Sequence, residues 1–173
     1  MNQRGMTVIE LLVVVSVISM LTATVVPAYR TYKAKARSAG AKIQLSSAFS
    51  AMKTFQAEFG TYHTCLSRMG FSNEGRPTYY AIGFRNDQIE ESNSEISNCS
   101  TTIGNRQHFF PQTKEVQGVA NVDPTTLPSL GVHGEGDCFA LGAAGHIYDG
   151  DSSSLDRWNL DQDQKLHHIT PGY

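Results

Sequence analysis

Hydrophobic positions in this chain fall into two regimes that meet near Pro27. From Met6 to Val26 the sequence reads MTVIELLVVVSVISMLTATVV, with Thr and Ser as its neutral polar residues and Glu10 as its one charge. As a helix rising about 1.5 Å per residue it reaches roughly 32 Å, enough to cross a bilayer's hydrocarbon core. Beyond Pro27 the pattern becomes amphipathic. Leu45, Phe49, Met52, Phe55 and Phe59 recur at spacings of three and four, which defines one apolar face that should receive a sheet. Proline removes a helix hydrogen bond and bends the axis, so a kink is expected at Pro27. Gly60 is a natural C-terminal stop. The aromatic stripe is assigned to packing, not to electron transport.

After Gly60 the periodicity changes. Thr61 to Pro77 carries turn residues and Cys65, and Thr78 to Arg85 (TYYAIGFR) predicts a strand by its aromatic and β-branched content. Asn86 to Arg106 is polar and reads as an exposed loop holding Cys99. Val116 to Leu130 predicts a short strand before the Asp123-Pro124 and Leu127-Pro128 breaks. Cys138 to Tyr148 (CFALGAAGHIY) predicts a buried strand, and Arg157 to Ile169 a hairpin turning at Asp161 to Gln164. The fold class is α+β: a long kinked N-terminal helix, half apolar and half amphipathic, packed on a small antiparallel sheet. Residues 61–173 form a β-rich head.

Composition narrows the functional classes. Apolar residues make up 40% of the chain, and a mean hydropathy of −0.28 shows that they are concentrated at the N-terminus. A net charge of −2 gives no general reason to expect nucleic-acid binding. Three cysteines, Cys65, Cys99 and Cys138, allow one disulfide and one remaining thiol. Cys99–Cys138 is preferred over Cys65–Cys99, because a strand beginning at Cys138 can return beside the loop after TYYAIGFR; sequence leaves the connectivity open. Such a bond forms and persists outside the cytoplasm.

Glu10 is the anomaly. A charge inside a span costs about 2.5–3.5 kcal/mol on insertion scales, and such a group normally has a partner. No Lys, Arg or His lies elsewhere in the stretch, so the partner is expected from outside it. A secretory signal peptide would have a shorter apolar run with an A-x-A-like cleavage site at its end, and this chain has neither. The positive-inside rule sets Arg4 against Arg30, Lys33, Lys35, Arg37 and Lys42, and counted alone would keep the head in the cytoplasm.

The segment RGMTVIELLVVVSVISMLTATVVPAYRTYKAKA resembles the N-terminus of type IV prepilins and of their relatives, the pseudopilins of type II secretion. In that family a short polar leader ends in Gly, a prepilin peptidase cuts after it on the cytoplasmic side, and the new amine is methylated. The resemblance implies that residues 1–5 are the leader, with cleavage after Gly5 and methylation at Met6. It puts Glu10 at the family's acidic position and Pro27 at its helix-kinking proline. Residues 6–26 would be the membrane and filament-core half of the helix, and 27–60 its amphipathic half. Many members have Phe where Met6 stands. The cleaved amine, with a reference pKa of about 7.7–8.0, would be the cation that meets a neighbour's Glu10 in a filament. The leader also requires Gly5 to face the cytoplasm, which overrules the positive-inside count.

TYHTCLSRMGF, YYAIGF, ALGAAGHI and DRWNLDQDQKLHHI resemble the C-terminal bodies of pilins from myxobacteria and related lineages. The implied function is a structural subunit of a homo-oligomeric helical filament used in motility and adhesion. Inner-membrane assembly machinery, with an extension ATPase and a platform protein, would be its partners, and no cofactor is implied. The alternatives are a minor pilin or pseudopilin and, from another class, a non-polymerising membrane-anchored periplasmic binding module.

Other chemistry is thin. Asp149, Asp151, Ser153 and Asp156 could offer oxygen ligands to calcium, but the EF-hand pattern fails, with Ser154 where its Gly belongs and Leu160 where its Glu belongs. In a strand His167 and His168 point to opposite faces and cannot share a metal. No nucleophile elbow, phosphate loop or zinc spacing is present. The basic run from Arg30 to Lys42 reads as a solvated or subunit-facing helix side, with contact to extracellular DNA left open.

Overall fold

The computed structural model describes residues 5–72, 78–85, 109–111, 114, 116, 122–128, 131–133, 138–149 and 154–173. Helix α1 (Val8–Phe59) runs for 52 residues and continues through Pro27. Proline has no N–H for the carbonyl of Ala23, so one rung of the ladder is missing there. The helix ends at Gly60, whose φ of 77° is the left-handed cap and whose N–H donates to the Gln56 carbonyl at 2.8 Å.

The two regimes of the sequence become two environments. Residues 5–30 of the chain are exposed throughout. Burial begins at Ala34 and continues at Ser38, Ala41, Leu45, Ala48, Met52 and Phe55, at alternating intervals of four and three. Four of those seven side chains are Ala or Ser, which lets the helix backbone approach the sheet. Leu45, Met52 and Phe55 join the core as expected, and Phe49 is half-buried against it. Phe59 is mostly exposed, stacked on Phe55 with ring centroids 4.5 Å apart.

Among the described residues one antiparallel sheet is formed by β1 (Ala81–Gly83), β2 (Phe109–Phe110), β3 (Gly131–His133), β4 (Cys138–Gly145), β5 (Asp156–Asp161) and β6 (Leu166–Thr170). Its order is β2-β1-β4-β5-β6, with β3 also paired to β4. Every pairing is antiparallel, as in Leu141 opposite Leu160 and Ile82 opposite Ala143. The central strand β4 is covered on both faces. Phe139, Leu141 and Ala143 join the cluster beneath α1, while Ala144 packs with Ala81, Val122 and Leu127 on the other side. This explains its near-continuous run of small and apolar residues.

The long helix on a small antiparallel sheet is the expected α+β arrangement. The hairpin at the C-terminus also forms, and Asp161 Oδ1 accepts from the backbone of Asp163 and Lys165 at 3.1 and 2.8 Å to close the turn. One expectation needs correction: the strand predicted over Thr78–Arg85 is three residues long. The break expected at Asp123-Pro124 is a 3₁₀ turn over Pro124–Thr126, where Asp123 Oδ1 accepts from both the amide and the hydroxyl of Thr125 at 2.8 Å. Most of the stretch before it, where a short strand is expected, lies outside the described residues. The sequence reading missed β2 and β3, and the predicted loop over Asn86–Arg106 lies outside the described residues.

Candidate functional site at the helix N-terminus

Gly5, Met6 and Thr7 precede α1 in non-helical backbone, and all three are exposed. A Cβ at Gly5 would meet nothing within 4 Å. Thr7 is the N-cap, with extended backbone at φ −81° and ψ 152°. Its Oγ1 accepts from the Glu10 amide at 3.3 Å, and Glu10 Oε2 accepts from the Thr7 amide at 3.3 Å and hydroxyl at 3.2 Å. This reciprocal capping box satisfies two of the donors a helix start leaves open, and it sets the carboxylate at the positive end of the helix dipole. Within one subunit Glu10 thus has a neutral partner inside the span, Thr7, besides the counter-charge expected from outside it. The signal was legible as T-x-x-E before an apolar run.

The neutral polar residues of the span are resolved in a similar way. Ser16, Ser19, Thr22 and Thr24 donate to the carbonyls of Val13, Val15, Ile18 and Leu21 at 2.7–2.9 Å. Each hydroxyl is satisfied by its own helix, which removes most of its cost in lipid. The helix contains an apolar window with a mean hydropathy of 2.4, long enough to cross a membrane, and none of that window is buried within the fold.

Where α1 enters the head, Asp149 accepts from Lys33 at 2.8 Å and from Arg37 at 2.7 Å, and Arg37 also donates to the Ile147 carbonyl at 2.5 Å. Burial pushes the Asp149 carboxyl up, but hydrogen bonds and charge from Lys33 and Arg37 outweigh it and hold the group below its ordinary value. Asp156 is buried at the opposite end of the acidic run. It accepts from Tyr80 Oη, from Trp158 Nε1 at 2.7 Å and from the Gly172 amide at 3.1 Å, and pairs with His168 Nε2 at 2.6 Å. Burial first, then the Asp156 charge and hydrogen bond, push the Tyr80 hydroxyl well above its ordinary value. Gly172 is required by this approach, since a Cβ there would lie 2.7 Å from the Asp156 amide nitrogen.

Asp149 is thus engaged with α1 and Asp156 with the sheet and Gly172, while Asp151 and Ser153, the other members of the candidate calcium cluster, lie outside the described residues. Among the described residues no group of three His, Cys, Asp or Glu side chains could hold a metal. His168 meets Asp156, whereas His167 lies 3.5 Å from Asp161.

The preferred Cys99–Cys138 pairing is not what the structure contains: Cys138 is not in a disulfide, and Cys65 is disulfide-bonded. Cys138 opens β4 in register with His133 and is half-buried there. Cys99 lies outside the described residues.

These features define an α+β protein with an exposed, membrane-length N-terminal helix whose first turn is built around an acid. Comparison with known proteins points to the same class. Residues 1–26 match the prokaryotic N-terminal methylation motif found in prepilins. The chain is also 34% identical over 73 residues to the type IV major pilin protein PilA of Myxococcus xanthus. That match covers 42% of this chain and 33% of the relative, so it spans about a third of the relative's length. The architecture, a long apolar helix packed on a small antiparallel sheet, is consistent with the type IV pilin fold.

Proposed function

We propose that this chain is the precursor of a structural subunit of a type IV pilus. It is anchored in the inner membrane by residues 6–26, cleaved after Gly5, methylated at the Met6 amine and polymerised into an extracellular filament. The observation that carries this reading is the methylation motif over residues 1–26 on a helix whose apolar half is exposed along its length. Such a surface needs a non-aqueous environment, and a membrane followed by a bundle of like helices supplies one at each stage. Prepilin peptidase, an extension ATPase and a platform protein are the implied partners, and the role of the subunit is assembly, with no reaction of its own. Motility and adhesion are the uses proposed for the filament, with DNA uptake as a further one.

Glu10 has two successive partners in this scheme. In the precursor Thr7 holds the carboxylate. After cleavage the Met6 amine of a neighbour supplies a full counter-charge inside the apolar core. Removing one half of such a buried pair costs about 3–5 kcal/mol, a cost that recurs at every subunit addition. The test is Glu10→Leu, scored for leader cleavage in membranes and for yield of sheared surface filaments. Cleavage with loss of filaments supports the pairing, and normal filament yield refutes it. Mass spectrometry of wild-type filaments places the chain among its alternatives: abundant mature chain marks a major pilin, trace amounts mark a minor pilin, and absence marks an anchored module.

A further inference from the structure

The band where α1 leaves its apolar stretch has a composition of its own. Tyr29 and Tyr32 are 63% and 72% exposed, and Arg30 between them is exposed as well. At about 100° per residue Tyr29 and Tyr32 stand about 60° apart on one side of the helix, and Arg30 stands about 100° round from Tyr29, so the three cover nearly half its circumference. The head begins one turn higher. Lys33 and Arg37 bind Asp149 there, and the Lys35 ammonium lies 5.9 Å from the centre of the Tyr173 ring. No acid occurs on α1 between Glu10 and Glu58, so the band below the head carries positive charge without compensation along the helix.

Tyrosine rings favour the headgroup level of a bilayer, where the ring is half apolar and the hydroxyl is wet. A guanidinium at the same level meets lipid phosphate in bidentate geometry. The spacing agrees: Tyr29 stands about 35 Å along the helix from Met6, slightly more than the roughly 30 Å hydrocarbon core. With Tyr29 among the headgroups of one leaflet, Met6 and the Gly5–Met6 bond reach the opposite surface.

We propose that Tyr29, Arg30 and Tyr32 form an interfacial collar that fixes the depth of the unassembled subunit in the membrane. Arg30 binds lipid phosphate, the two rings sit among the headgroups, and the rim of the head rests just above them. This proposal builds on the reading of residues 6–26 as a membrane segment, and it adds the contact that sets their height.

The test uses the full-length precursor in phosphatidylcholine vesicles with and without phosphatidylglycerol. Single tryptophans are placed by Val17→Trp and Tyr29→Trp, with the Trp158 signal of the wild-type chain subtracted. Lipids brominated near the headgroup or near the chain end quench each probe according to its depth. The expected result is loss of Tyr29→Trp emission with shallow bromine and of Val17→Trp emission with deep bromine. Phosphatidylglycerol should strengthen the shallow quenching, and Arg30→Gln should abolish that dependence. If Val17→Trp is quenched but Tyr29→Trp is quenched by neither lipid, or only by deep bromine, the collar is overturned and the anchor stands. An Arg30→Gln variant that keeps the phosphatidylglycerol dependence overturns the phosphate contact. Absence of quenching at Val17→Trp overturns the membrane reading and the collar with it.

Discussion

Trp158 and His168 lie face to face across β5 and β6, their ring centroids 3.9 Å apart and their planes 4° from parallel. Both rings reach the same buried carboxylate, that of Asp156, which also receives Tyr80 and the Gly172 amide. On the other side the Lys42 ammonium of α1 stands 4.8 Å from the centre of the Trp158 ring. One acid therefore ties the last strand, the chain terminus and the sheet together beneath the helix.

Asp156→Ala should destabilise the head by about 3–5 kcal/mol, because it strands buried donors that have lost their acceptor. Urea unfolding followed by Trp158 fluorescence gives the value. A change below about 1 kcal/mol would mean that the donors find water or other partners at little cost.

The junction of α1 with the head should be acid-sensitive. Asp149 titrates below its ordinary value, so its contribution is present above the unfolded carboxylate pKa of about 3.9 and is lost as pH falls through the lower folded value. Asp149→Asn should flatten the acid limb of a stability-against-pH curve and leave its neutral-pH shape unchanged. An acid limb that is the same in wild type and variant would remove Asp149 from the account.

Processing is checked at Gly5. Gly5 is exposed, and a Cβ added there meets nothing within 4 Å among the described residues, so a replacement such as Gly5→Leu should be tolerated by the fold. The variant should fold and insert yet keep its leader, because the obstruction arises in the peptidase. Intact-mass measurement of membrane fractions distinguishes retained from removed leader, and efficient cleavage of Gly5→Leu would assign the cut elsewhere.

Cysteine connectivity yields a fourth test. With Cys138 outside the bond and Cys65 within it, Cys99 is the remaining cysteine of the sequence, and we propose Cys65–Cys99. Alkylation of denatured, unreduced protein should label Cys138 alone. Cys138→Ser should keep the bond, whereas Cys65→Ser should lower stability by about 2–4 kcal/mol. Labelling of Cys65 without reduction would contradict this pairing.

Strong periodicity made the long helix, its glycine stop, the central strand and the final hairpin legible from residues alone. The helix face was only half visible, because its lower part is built from Ala34, Ser38, Ala41 and Ala48, small residues that mark close approach without standing out as apolar. The strands β2 and β3 were missed for a different reason. They are two and three residues long, and their pairing with β1 and β4 is decided by tertiary contact, not local pattern. At the N-terminus the charge of Glu10 implies a cation from outside the span, whereas its partner within the subunit, Thr7, stands three residues away. The roles of Asp149 and Asp156 could not be read from spacing, since Lys33, Arg37 and Tyr80 reach them from distant parts of the chain.

The buried residues of α1 lie at Ala34 and beyond, while residues 5–30 are exposed throughout. In the language of colloids, the subunit is an amphiphile with a rigid tail. An ordinary lipid tail or a disordered peptide would lose conformational entropy on packing side by side, about 1–2 kcal/mol per residue for a polypeptide backbone. Here that ordering is already complete, because the ladder of α1 and the hydroxyls of Ser16, Ser19, Thr22 and Thr24 close on the helix itself. In the proposed filament, extraction from lipid and stacking against other tails would then be an exchange of one apolar surrounding for another, with the shape of the tail unchanged.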